Sequence, residues 1–123
     1  IAPEYQLIDD YKWGEYNNNA KLEEWQKTGA DYAMHTPDTT KKITKPAGEW
    51  NTSKIIFTSK RVEHWHNGVK LLSFVPWSKD WYNRKNKGKW KNTPDYGKFK
   101  SGYIGLQDHD SPIWFRNIKI KKL

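Results

Sequence analysis

Four short stretches of this chain gather acids, amides and imidazoles at spacings that could do chemistry. "LQDHD" (106–110) sets a glutamine, two carboxylates and a histidine side by side. Strand alternation would turn Gln107 and His109 to one face and Leu106 and Asp108 to the other. "VEHWHNG" (62–68) places His64 and His66 two apart. On a strand both imidazoles line one face and could reach one cation, with Glu63 and Trp65 on the opposite face. "PEYQLIDD" (3–10) aligns Glu4 with Gln6 and continues into Asp9 and Asp10. An acid beside an amide suits sugar hydroxyls, which each donate and accept. "GEWN" (48–51) flanks the Trp50 ring with Glu49 and Asn51. Plain readings stand beside these: a polar turn between strands, a solvent-facing histidine pair near a hairpin, an ordinary surface strand and a packing ring.

Trp and Tyr rings among carboxylates, amides and histidines form the vocabulary of carbohydrate sites, in which rings cover apolar sugar faces and polar groups read hydroxyls. Other chemistries are excluded. The chain has no cysteine, which removes disulfides, thiolate metal sites and Cys nucleophiles. No phosphate loop and no Ser-His-Asp order is present. No run approaches the roughly 18 apolar residues of a membrane span, and no signal peptide is visible. The first residue is Ile rather than Met, so a removed export signal would leave no trace.

The net charge of +8 (22 basic against 14 acidic residues) attracts anions. Much of it is local: residues 78–92 carry Lys79, Arg84, Lys85, Lys87, Lys89 and Lys91 against Asp80 alone. Without a recognisable nucleic-acid module, the expected reading is a solvated loop and no nucleic-acid partner, with a polyanion-binding surface as the competing one.

The elements that must position these groups read as strand and turn. Residues 50–75 show period-2 alternation around Asn67-Gly68, the dipeptide of a two-residue type I′ hairpin. "GYIGLQDH" (102–109) and "PIWFRNIKIKKL" (112–123) predict two further strands, with Pro112 at a strand start, and 3–10 predicts another. Residues 17–29 predict one or two helical turns with an Asn N-cap and Gly29 as terminator. Residues 35–49 and 77–99 read as long loops. The expected class is all-β: an antiparallel sandwich or jelly roll. About six strands are too few for two full sheets, so further strands are expected from the rest of the polypeptide or from another chain.

In order, "PEYQLIDD", "TGADY", "PAGEWN", "VEHWHNG", "GYIGLQDH" and "FRNIKIKKL" resemble the 3-keto-disaccharide hydrolase family, abundant in Bacteroidetes. The resemblance runs along essentially the whole chain and corresponds to the C-terminal part of the family domain. It implies a concanavalin/LamG-like jelly roll with a ligand groove, of which residues 1–123 would form one portion as a single domain. It also implies export, to the periplasm, the cell surface or outside the cell. By motif position, Glu4, Gln6 and Asp9 fall on the family's "E-x-Q-x-x-D", Glu49 and Asn51 on "E-W-N", and His64 and Asn67 on "H-W-x-N-G". Gln107, Asp108 and His109 fall on "L-Q-D-H", and Arg116 and Asn117 on "F-R-N-I". Asp110 stands where the family usually has Gly, which bears on the tightness of the next turn.

The implied activity is cleavage of 3-keto-glycosides. A ketone at C3 acidifies the C2 hydrogen, so the glycosidic bond breaks by elimination and hydration completes hydrolysis. This needs a base near C2, a group polarising the C3 oxygen and a proton donor. The resemblance makes His109, Glu4 and Asp108 the catalytic candidates, with His109 as base. Gln6, Asp9, Glu49, Asn51, His64, Trp65, Gln107 and Arg116 would hold substrate. No cofactor is required outright, but a divalent cation would polarise the ketone if Glu4, His64 and His109 converge. The alternative is a non-catalytic carbohydrate-binding module on the same fold.

Overall fold

The computed structural model describes residues 2–123. Its sheet is a three-stranded antiparallel meander of β1 (Ser53–Phe57), β2 (Val62–His66) and β3 (Val69–Phe74), in that spatial order. The β2–β3 turn is the one the sequence predicts. Asn67 and Gly68 sit at φ 45° and 82°, the left-handed values of a type I′ hairpin. Asn67 also fixes its surroundings: Oδ1 accepts from Thr52 N (2.8 Å) and Nδ2 donates to Ile43 O (2.7 Å). The β2–β3 register shifts between His64 and Trp65, where His64 faces Leu72 and Trp65 faces Lys70. The irregularity breaks strict alternation, and Val62, Glu63 and His64 are all buried in succession.

The N-terminal run expected as a full strand is an extended segment pinned to residues 28–32. Gln6 N donates to Ala30 O (3.0 Å), Gly29 N to Gln6 O (2.9 Å) and Tyr32 N to Glu4 O (3.1 Å). Only Tyr5–Asp31 forms a bridge. Gly29 permits this close approach: its φ is +89°, and an added Cβ would lie 2.5 Å from Leu71 Cδ1.

Three further expectations change. Within 17–29, the one helical turn is a 3₁₀ piece at Glu24–Gln26, capped by Glu23 in a capping box with Gln26 rather than by an Asn; α1 (Trp13–Tyr16) precedes it. The 77–99 segment is not all loop, because α2 (Lys79–Lys87) forms there with Ser78 Oγ accepting from Trp81 N (3.2 Å). Residues 102–123 form no strand or helix and are exposed throughout. Alternation becomes a strand only where a neighbouring chain segment takes up the backbone N–H and C=O groups, and no described residue does so here. A second sheet is therefore absent among the described residues, while the sheet that forms agrees with an all-β class.

The apolar core is aromatic. Met34, Trp81 and Tyr96 are buried, with Phe74, Trp77 and Trp90 packed around them. Trp90 stacks on Tyr96 with ring centroids 4.5 Å apart. Beside this cluster lies an unusual amount of buried polarity: Thr28, Asp31, His35, Glu63, His64 and His66.

Candidate functional site

Glu4 is half-buried where the N-terminal run crosses residues 30–32. Loss of hydration pushes its carboxyl above the ordinary range; the positive fields of Lys89 and His109 partly offset this, and the negative field of Asp31 adds to it. The other described carboxylates with a displaced pKa, Glu24, Asp38, Glu63, Asp80 and Asp95, all move down, each chiefly through a side-chain hydrogen bond. Glu4 is thus the acid whose surroundings favour keeping its proton.

Around it the fold collects groups from distant stretches. Lys89, just past α2, donates to Tyr32 Oη (3.1 Å) and lies 4.4 Å from the Tyr32 ring centroid. Trp25 meets Tyr32 edge-on at 5.1 Å. Tyr96 is buried with its hydroxyl unpartnered, and its pKa is driven up by burial, then by the negative fields of Asp31 and Glu4. His109 arrives on the C-terminal segment, exposed to solvent.

The remaining sequence-derived residues divide. Arg116 reaches the "GEWN" turn, its guanidinium carbon 3.9 Å from the Trp50 centroid. Gln107 and Asp108 are exposed beside His109, and Glu49 is exposed at the 46–49 turn. Gln6 is half-buried, with its backbone committed to Ala30 and Gly29. Asp9 makes an Asx turn, Oδ1 accepting from Tyr11 N and Lys12 N at 3.0 and 3.1 Å. Asn51 locks a loop by bonding Lys45 N and Lys45 O. Trp65 donates to Glu63 Oε2 (2.9 Å) while Lys54 covers its ring at 4.0 Å. Asp110, in the glycine position of the motif, has φ +59° and so adopts the left-handed turn that glycine favours.

The histidine pair of β2 is not solvent-facing. His64 and His66 are both buried. His64 Nδ1 donates to Gly29 O (3.0 Å), and His66 Nδ1 is 3.4 Å from Tyr5 Oη. Burial lowers the pKa of each. Among the described residues, no three His, Asp or Glu side chains are gathered as a metal ligand set. Glu4, His64 and His109 therefore do not fit a cation site as they stand.

Sequence reasoning missed one constellation. Asp31 and His35 close a tight loop through Asp31 N–His35 O (3.1 Å) and His35 N–Asp31 O (2.9 Å). Their side chains pair at 2.8 Å, Nδ1 to Oδ2. The only signal was an acid and a histidine four apart in "DYAMH", inside a segment with no periodicity.

This chain is similar to known proteins along almost its full length. The model of the 3-keto-alpha-glucoside-1,2-lyase-like domain matches residues 1–121. A 3-keto-disaccharide hydrolase of Bacteroides thetaiotaomicron is 32% identical, over 99% of this chain and 44% of that protein. The crystal structure of a Parabacteroides distasonis protein assigned as a glycosyl hydrolase aligns with TM-score 0.68 at 50% identity, over 79% of this chain and 44% of its own. The chain thus spans under half the length of the relatives it matches. By the extent of the family match, over residues 1–121, the chain belongs to the 3-keto-alpha-glucoside-1,2-lyase-like domain family.

Proposed function

We propose that this chain carries the acid–base pair of a carbohydrate-active site that cleaves 3-keto-glycosides, with Glu4 as proton donor and His109 as base. The observation that carries the reading is the upward displacement of Glu4 beside His109, Lys89 and Asp31. Perturbed acids with specific charged neighbours mark sites of proton transfer. The names of the relatives, a 3-keto-disaccharide hydrolase and a glycosyl hydrolase, point the same way.

In this mechanism His109 Nε2 or Nδ1 takes the C2 proton, and the electron pair forms the C1–C2 double bond as the C1–O bond breaks. Glu4 delivers its proton to the departing oxygen. Water then adds across the unsaturated ketone: its oxygen bonds to C1 while Glu4 takes up its proton, and His109 returns its proton to C2, so both groups are restored and the net change is hydrolysis. The Lys89 ammonium supplies positive charge for the C3 oxygen as it becomes enolate-like. No step runs through a metal ion, since the donor set does not assemble. The proposal extends to the setting: a two-sheet jelly roll completed by further strands, in an exported protein.

The test is turnover of a 3-keto-disaccharide by the whole protein, with products read by mass spectrometry, and with and without a chelator. Release of both sugar halves, abolished in His109→Ala, is the expected result. Saturable binding without product would make the chain a binding module instead.

A further inference from the structure

A buried carboxylate with a single hydrogen-bond partner is costly unless something uses it. Asp31 is fully buried; its Oδ2 pairs with His35 Nδ1, and its Oδ1 has no partner. A carboxylate accepts, so Nδ1 carries a proton and donates to Asp31, which leaves the ring's other nitrogen for a second partner. That nitrogen, His35 Nε2, is also buried without a hydrogen bond. The ring is held rigidly, stacked on Phe74 at 4.1 Å and 6°. Its loop is pinned by the two backbone bonds described above and by Ala33 at φ +60°.

His35 lies on the wall of an open cleft of about 320 Å³ between the 35–38 segment, β3 and α2, the size class of small-molecule sites. Thr36, Asp38, Ser73 and Arg84 also line it, a wall rich in hydroxyls and charges rather than a dry pocket. From α2, Arg84 donates to Met34 O (3.3 Å) and to Asp80 Oδ2 (2.7 Å). Asp80 Oδ2 stands 3.7 Å from His35 Nε2, beyond hydrogen-bond range. Both α2 side chains are largely exposed, so a rotamer change of Asp80 uncovers the imidazole.

We propose that this cleft is a second saccharide subsite, seating the unoxidised ring of a disaccharide, with His35 Nε2 hydrogen-bonding one ring hydroxyl and Arg84 donating to its neighbour. The subsite rests on the carbohydrate reading given above, and its test separates the two. In the whole protein labelled with ¹⁵N-histidine, trehalose is titrated while the His35 ring nitrogens are followed by long-range ¹H–¹⁵N correlation. The expected result is an Nε2 resonance that shifts saturably with trehalose and ignores sodium sulfate at matched ionic strength. His35→Asn keeps an N–H for Asp31 and removes Nε2; it should bind trehalose at least about fivefold more weakly. Asp80→Ala should bind as well as or better than wild type.

Kinetics provide the second reading. His35→Asn should raise KM for 3-keto-trehalose by a similar factor and leave methyl 3-keto-α-glucoside, which has one ring, unchanged. Three outcomes overturn the subsite: trehalose that leaves both nitrogens unmoved, a response to sulfate instead, or equal KM changes for both substrates. If neither substrate turns over, the proposed activity fails while the trehalose titration still decides the subsite.

Discussion

At the scale of single residues, Glu4 matters because burial raises its pKa above the ordinary carboxylate range. A group whose folded pKa exceeds its unfolded value stabilises the fold below the unfolded pKa, and that contribution is lost as pH rises through the folded one. Glu4→Gln should therefore leave thermal stability at pH 8 equal to or higher than wild type while turnover collapses, a separation that a merely structural acid would not give. One limb of the pH profile of kcat/KM should lie above the ordinary carboxylate range and vanish in this variant. Asp9, Asn51 and Trp65 show the limit of motif reading. Their types and positions fit a sugar site, yet their polar atoms are spent on an Asx turn, a loop lock and Glu63. Which atoms are already satisfied depends on partners 2 to 6 residues away that spacing does not reveal.

At the scale of elements, legibility followed locality. The β2–β3 hairpin was readable because Asn67-Gly68 fixes its turn within two residues. Helix α2 was not, because only Trp81 of its nine residues is buried and so no apolar period marks it; Ser78 and Gly88 were its sole signals. Ser78→Ala should cost about 1 kcal/mol, visible as a drop of several degrees in Tm, and should loosen the Asp80–Arg84 side of the cleft. Strand β2 carries a pH liability of its own. The pKa values of His64 and His66 are lowered by burial, so below the ordinary histidine value the unfolded chain takes up protons that the fold refuses. Stability should fall as pH drops through that window, and His66→Gln should flatten part of the slope in a series of thermal melts.

At the scale of the molecule, apolar cover is uneven. Leu71, Trp81 and Tyr96 are sealed, whereas Tyr103, Ile104, Leu106, Trp114, Ile118 and Ile120 stand in solvent along the C-terminal run. The alternation of that run predicts two strands, but among the described residues no segment offers it a pairing surface. The 123 residues taken alone should bind a hydrophobic dye and self-associate with rising concentration, measurable by fluorescence and light scattering.

The stacking of Arg116 on Trp50 joins that run to the sheet end of the molecule seven residues beyond His109. It sets the effective concentration of the imidazole. In the proposed mechanism His109 is a tethered reagent: while the contact holds, the ring is confined near Glu4, and when it opens the ring samples a far larger volume. An exposed cation–π contact contributes about 0.5–1 kcal/mol, so Arg116→Ala should slow proton abstraction only about two- to fivefold. Trp50 emission would report the fraction of time the tether is closed.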